Sequence, residues 1–374
     1  MYMKPNLTLA NILIRISLVT FIMNFRETLL QWRAIFRDIP IQIWQKHLLL
    51  FAATFFSMMW TYYSFSPHLQ PWDKFLDGLM YSLTLIVILL SHELGHYMHA
   101  RQYGVETTLP FFIPMPFLSP FGTLGAFIRM KSLPPDKRAL FDISYWGPAM
   151  SFFTSIPAII AGLLLSNSIP TNMPDAGLLV GKNDLVFGSS LLFEILIKIF
   201  VRIPDGYALV LHPVAFAGWV GLFVTAINLF PIGQLDGGHI AYVFLGKRQK
   251  YIAYLFFSLL VFLALSVSSG WMFWIFMLFM MGLKHPVTRI LEAGIHVDKT
   301  RIRRSLLAAI IFIICFIPEP IKMNLRMQIP SPETRPNDES QFRDYHEIKQ
   351  NRNNKFTSNY FQKINFFSGQ YPWK

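Results

Sequence analysis

The sequence predicts an all-α polytopic membrane protein, with about 6–7 transmembrane helices and a small membrane-associated β element. Three observations lead there. Of 374 residues, 53% are hydrophobic and 14% charged, against roughly 25% charged in soluble domains; mean hydropathy is +0.40. The apolar residues gather into uncharged runs long enough to cross a bilayer. The basic residues collect in alternate connecting segments, as they do in cytoplasmic loops.

The elements follow in chain order. Residues 1–47 carry Arg26, Arg33, Arg37 and Lys46 among apolar stretches. Residues 9–23 have the look of a signal h-region, but Arg15 interrupts them and no A-x-A site follows, so the segment reads as an interfacial amphipathic helix. Residues 48–65 form a first uncharged span, and 78–91 a second that runs into His92. Spans at 139–166 and 207–230 follow. Residues 251–267 and 270–283 form a close pair split at Ser268, Ser269 and Gly270, and 305–318 is the last span. The body is thus 48–320. Residues 321–374 are polar, without apolar periodicity, and read as a disordered tail.

Charge orients these spans. Arg101, Arg129, Lys131, Lys137 and Arg138 fall in one loop. Lys247, Arg248 and Lys250 fall in the next loop on that side, and Lys284, Arg289, Lys299, Arg301, Arg303 and Arg304 in the one after. The opposite loops are poor in cations; 66–77 has Lys74 alone. The N-terminus and the basic loops are therefore expected in the cytoplasm. For a bacterial source the membrane would be the inner cell membrane. The net charge of +12 is accounted for by topology, so no nucleic-acid partner is expected. The single cysteine, Cys315, excludes a disulfide framework or a Cys-based zinc site within one chain. Any metal must be held by His and carboxylates.

His92-Glu93-Leu94-Gly95-His96 ends the second span. Histidines at i and i+4 share one helix face, so both imidazoles can reach one metal. Glu93 beside them can act as general base on water at that metal. With ten His and nine Glu in the chain, about 0.006 such H-E-x-x-H matches arise by chance, so the pattern is informative. His99, at i+3 from His96, reads as an interfacial residue, with a further metal ligand as the alternative. A catalytic zinc normally takes a third protein ligand, and the soluble-zincin spacing is not met, because position 102 is Gln. The best candidate is Asp236, within Asn228-Leu-Phe-Pro231-Ile-Gly233-Gln-Leu-Asp236-Gly237-Gly238-His239. Pro231, Gly233, Gly237 and Gly238 break the fourth span, and broken helix at membrane depth is tolerated only inside protein or beside a water-filled cavity. The loop charges put Asp236 on the side of His92 and His96. Asn228 has two readings of equal weight: a helix cap or interhelical bond, and a donor to the oxyanion or substrate backbone. Asp142 and His212 read as structural. Glu194 and Lys198 read as solvated i,i+4 partners on an interfacial helix over 185–201.

Residues 121–131 alternate apolar and other residues, Phe127 apart, which predicts a strand. Gly122 and Gly125 leave room for close backbone approach. A strand edge near the metal, with Gly125 and Ala126 on it, could hold an unwound substrate by strand addition; a plain membrane-surface hairpin accounts for the same pattern equally well.

The paired motifs, His92-Glu93-x-x-His96 and Asn228-x-x-Pro231-x-x-x-Leu235-Asp236-Gly237, resemble those of the site-2 protease family of intramembrane metalloproteases (peptidase M50). The resemblance covers roughly residues 75–320. Gly122 to Ile128, Phe141-Asp142 and Gly147-Pro148 are similar to the branch with plant EGY-type proteases and bacterial relatives. It implies one Zn2+ per chain on His92, His96 and Asp236, with Glu93 as base. It also implies transmembrane protein substrates in a lipid bilayer. The segment 167–206 is too short for the PDZ domain that some family members carry. The expected function is an intramembrane zinc metalloendopeptidase acting in regulated intramembrane proteolysis. A metal transporter is the competing reading, against which no internal repeat is visible. An inactive client-binding relative would have no need of Glu93.

Overall fold

The computed structural model describes residues 41–64, 70–170, 178–179, 185–204, 207–283, 285 and 297–323. Of the amphipathic segment expected over 1–47, residues 1–40 lie outside them, while 41–47 already belong to the first helix; of the tail expected over 321–374, residues 324–374 lie outside them, while 321–323 form a strand.

Helix α1 (Ile41–Ser64) and helix α2 (Pro71–Gln102) lead into the core. Pro71 opens α2, where its missing N–H and fixed φ are harmless. At 32 residues α2 is about 48 Å long at 1.5 Å per residue, well beyond a hydrocarbon layer of about 30 Å. Its C-terminal third carries the H-E-x-x-H motif. A two-stranded antiparallel hairpin follows: β1 (Phe111–Pro114) pairs with β2 (Thr123–Phe127), with Ala126 opposite Phe112. The expected strand over 121–131 is therefore shorter, reduced to five residues with an isolated bridge from Thr107 to Met130. Phe117 and Leu118 protrude from the connecting turn, 85% and 73% exposed.

Helix α3 (Lys137–Leu165) starts where the Asp136 side chain accepts from the Ala139 N–H at 2.8 Å, satisfying one orphan donor of the first turn. Strands β3 (Asn167–Pro170), β4 (Leu178–Leu179), β5 (Leu185–Phe187), β6 (Tyr207–Val210) and β7 (Ile321–Met323) form one sheet in the order β3-β6-β4-β5-β7. Helix α4 (Leu191–Phe200) interrupts it. The expected helix over 185–201 is thus corrected: residues 185–187 pair as a strand, and the helix begins after Ser190, whose hydroxyl caps it by accepting from the Phe193 N–H.

Helix α5 (Pro213–Asn228) is followed by α6 (Asp236–Leu245), α7 (Gln249–Ser266), α8 (Met272–Met281) and α9 (Lys299–Cys315). His212 caps α5 through Nδ1, the structural role expected of it. Three helical stretches among the described residues are long and apolar enough to cross a membrane: 71–102, 137–165 and 236–266. Helix α5 is apolar but has 16 residues, because the Pro-Gly break ends it. Helix α8 has 10.

Helices α2, α3 and α5 pack tightly through small residues. A Cβ on Gly95 would strike the Trp146 carbonyl on α3; one on Gly221 of α5 would strike Ser155 and Ile88. Small residues at such crossings let backbones approach where hydrophobic driving force between helices is weak. The core over them holds Leu85, Phe141, Phe216, Trp219 and Phe223, each essentially fully buried.

Candidate metal centre

His92 and His96 lie one turn apart on the buried face of α2, and both rings are buried, as is the Glu93 side chain between them. Each imidazole is oriented through its Nδ1. His96 Nδ1 faces the Ile143 carbonyl at 2.7 Å, and His92 Nδ1 faces the Ser151 hydroxyl at 3.1 Å; both partners belong to α3. A carbonyl can only accept, so His96 carries its proton on Nδ1 and turns a bare Nε2 inward.

Asp236 arrives from the other side. Helix α5 stops at Asn228, residues 229–235 form irregular turns, and Asp236 opens α6. Gly233 takes φ +53° and its N–H donates to the Leu283 carbonyl at 3.1 Å. The Gln249 amide donates to the Pro231 carbonyl at 2.9 Å. The broken backbone is thereby tied to α7 and to the end of α8 inside protein, as buried peptide groups require. Asp236 is the first residue of a helix, with the break just before it.

The three side chains converge. The Nε2 atoms of His92 and His96 are 3.0 Å apart, and Asp236 Oδ2 is 3.4 Å from each. Among the described residues this is the one group of three His, Cys or carboxylate side chains whose ligand atoms all lie within 4.8 Å. A tetrahedral zinc ion with bonds of about 2.0–2.1 Å sets its donors about 3.3 Å apart. Those distances bracket that separation. The donor set therefore fits zinc.

Two further parts flank the trio. The backbone N–H of Ile128, just past β2, faces the Glu93 carboxylate. The Asn228 amide nitrogen is 3.4 Å from His92 Nε2, at the end of α5. Ala126 is buried in β2, and Gly125 before it has φ +109° with open space where a Cβ would be. The glycine at 125 thus answers a backbone conformation that L side chains rarely adopt, and Gly122, at φ +78°, combines such a conformation with close approach. There a Cβ would strike Met58 and Ser57 of α1, and the Ser57 hydroxyl donates to the Gly122 carbonyl at 2.5 Å.

The residues read as bland behave so. His99 Nδ1 donates to the Gly95 carbonyl at 3.0 Å and the ring stacks on Trp146. Asp142 is buried in an ion cluster with Arg301 and Arg304 of α9, and accepts from the Tyr103 hydroxyl at 2.5 Å. Burial, and then the Asp142 carboxylate, raise the Tyr103 hydroxyl pKa above its ordinary value. Sequence reasoning missed Ser151 and Thr225, single hydroxyls in apolar helices that no spacing rule marks, and the His239–His285 pair at 2.7 Å, which links α6 to the segment after α8.

Long apolar helices that gather two buried histidines and a half-buried aspartate around one point, with a glutamate beside them, define a membrane-helix protein with a candidate metal centre. The chain belongs to Peptidase family M50, whose model matches residues 80–267. It is 36% identical over 191 residues to the probable zinc metalloprotease EGY1, chloroplastic, of Arabidopsis thaliana, covering 49% of this chain and 32% of that relative. To the probable zinc metalloprotease EGY2, chloroplastic, of the same plant it is 30% identical over 174 residues, 46% of this chain and 30% of the relative. To EGY3 of Oryza sativa subsp. indica, likewise a probable chloroplastic zinc metalloprotease, it is 29% identical over 199 residues, 48% and 32%. The chain spans about a third of the length of these relatives.

Proposed function

We propose that this protein is an intramembrane zinc metalloendopeptidase that cleaves transmembrane protein substrates, as in regulated intramembrane proteolysis. One observation carries the reading: His92, His96 and Asp236 converge from two separate elements on a zinc-sized point, with the buried Glu93 carboxylate adjacent. Family membership and the relatives' names support it.

His92, His96 and Asp236 hold the ion, one per chain. When bound, Zn2+ lowers the pKa of water and polarises a carbonyl. Glu93 takes the proton from the attacking water as its oxygen bonds to the scissile carbonyl carbon, and returns it to the leaving amide nitrogen as the C–N bond breaks. Asn228, at the rim of the trio, donates to the developing oxyanion or to the substrate backbone. A helical substrate hides its carbonyls in its own hydrogen bonds, so it must unwind; the β2 edge at Gly125 and Ala126 gives the unwound segment replacement partners. The catalytic body is residues 48–320, flanked by 1–47 and 321–374. The basic loops argue for a multi-pass protein of 6–7 spans with its N-terminus and active-site side in the cytoplasm.

The test is cleavage of a single-span substrate by the purified protein in liposomes, with zinc counted in parallel. Full zinc occupancy in Asp236→Ala would reject Asp236 as the third ligand. Cysteines at Arg101 and Lys247, in a Cys315→Ser background, should label only from the cytoplasmic side; labelling at 101 from outside would invert the topology.

A further inference from the structure

The two histidines are oriented by different means. His96 Nδ1 meets a main-chain carbonyl, which no side-chain substitution at that site can remove. His92 Nδ1 meets the Ser151 hydroxyl, which could either donate or accept. What Ser151 does is decided farther out. Its Oγ is 2.8 Å from Thr225 Oγ1, and Thr225 Oγ1 is 2.7 Å from the Gly221 carbonyl. Ser151 is 1% exposed and Thr225 0%, so bulk water does not complete their bonding.

Hydrogen bookkeeping then has one solution that puts a proton in both the 2.7 Å and the 2.8 Å contacts. The Gly221 carbonyl only accepts, so the single Thr225 hydroxyl proton goes to it. Thr225 Oγ1 must then accept, and the single Ser151 proton goes to Thr225. Ser151 Oγ is left as an acceptor toward His92, so His92 carries its proton on Nδ1 and a lone pair on Nε2. Any other assignment leaves two acceptor oxygens facing each other across 2.7 or 2.8 Å with no proton between them, which is costly. The Asn228 amide nitrogen near His92 Nε2 agrees with a lone pair there.

We propose that Ser151 and Thr225 form a one-way hydroxyl relay, His92 to Ser151 to Thr225 to the Gly221 carbonyl, that fixes the His92 tautomer and so prepares Nε2 for zinc. Both are positioning residues, and the inference rests on the zinc reading above. Their ranks differ. Ser151 touches His92 directly. Thr225 acts through Ser151, whose hydroxyl has a fallback acceptor in the Pro148 carbonyl at 3.1 Å.

The experiment is zinc affinity of the purified full chain in detergent, by competition with a chromophoric chelator, with thermal unfolding of the metal-free protein alongside. Ser151→Ala should weaken zinc binding about 10–100-fold, the usual scale for loss of an outer-shell partner. The isosteric Thr225→Val should weaken it less, and Thr225→Ser, which restores the hydroxyl, should return the wild-type value. Unfolding of the metal-free Thr225→Val and Thr225→Ser proteins should leave this order of affinities unexplained. Wild-type affinity in Ser151→Ala, or a larger loss in Thr225→Val than in Ser151→Ala, would overturn the relay. A wild-type protein that binds no zinc would instead overturn the parent reading.

Discussion

Gly147 on α3 faces the His96 ring, and the nearest atoms to a Cβ placed there are Nε2, Cε1 and Cδ2 of that ring. Gly147→Ala therefore aims a methyl group at a proposed ligand rather than at flexible packing. The most distant of the three, Cδ2, would lie 2.7 Å from the new carbon, whereas apolar contact begins near about 3.5 Å. The ring must retreat by roughly 1 Å, while its Nδ1 is held to the Ile143 carbonyl and cannot swing freely. Zinc–ligand distances tolerate only about 0.2 Å, so a shift of that size takes His96 out of coordination. Relief by separating α2 from α3 instead would cost about 1–3 kcal/mol as overpacking. Purified Gly147→Ala should keep its helical circular dichroism, fall well below one zinc per chain and lose cleavage. A Gly147→Ala protein with full zinc and wild-type cleavage would refute both the ring's placement and its role as a ligand.

Other substitutions separate the roles of neighbouring parts. Gly125→Ala meets no steric obstacle but forces an L side chain into φ +109°, a strain of about 1–3 kcal/mol. Cleavage should fall with zinc content unchanged, and loss of zinc would show that β2 supports the metal rather than substrate. Asp142→Asn removes the buried anion of Arg301, whose side chain is only 14% exposed, but Asp298 still holds Arg301 at 3.0 Å, so the loss should fall below the roughly 3–5 kcal/mol of a fully unpaired buried charge. The thermal midpoint of the metal-free protein should drop by several degrees; an unchanged midpoint would mean the cluster is solvated. His99→Gln should leave zinc content and cleavage near wild type, since His99 bonds its own helix and stacks on Trp146. Zinc loss there would add it to the ligand set.

The parts of the site that sequence reasoning reached are those that disobey their surroundings. Two histidines and a glutamate at the end of an apolar run are conspicuous because ionisable groups at membrane depth are expensive. Asp236 stands out because Pro231, Gly233, Gly237 and Gly238 mark a break that lipid would not tolerate. Asp142 reads from sequence only as structural; its partners Arg301 and Arg304 lie about 160 residues away, and no local period links them. Ser151 and Thr225 obey their surroundings: a serine or threonine can satisfy itself on its own helix, as Thr225 does on Gly221, so nothing in the sequence distinguishes a relay from a spectator. The five-stranded sheet was illegible for another reason. Its strands are two to four residues long, too short to show a period of two, and β7 joins β5 from 134 positions on.

In the proposed mechanism Glu93 moves the proton while His92, His96 and Asp236 hold the metal. Its most direct test is Glu93→Gln, with zinc stoichiometry and cleavage of a single-span substrate in liposomes measured on one preparation. One zinc per chain and no cleavage product are the expected results. Cleavage that persists in the zinc-loaded Glu93→Gln protein would contradict the mechanism.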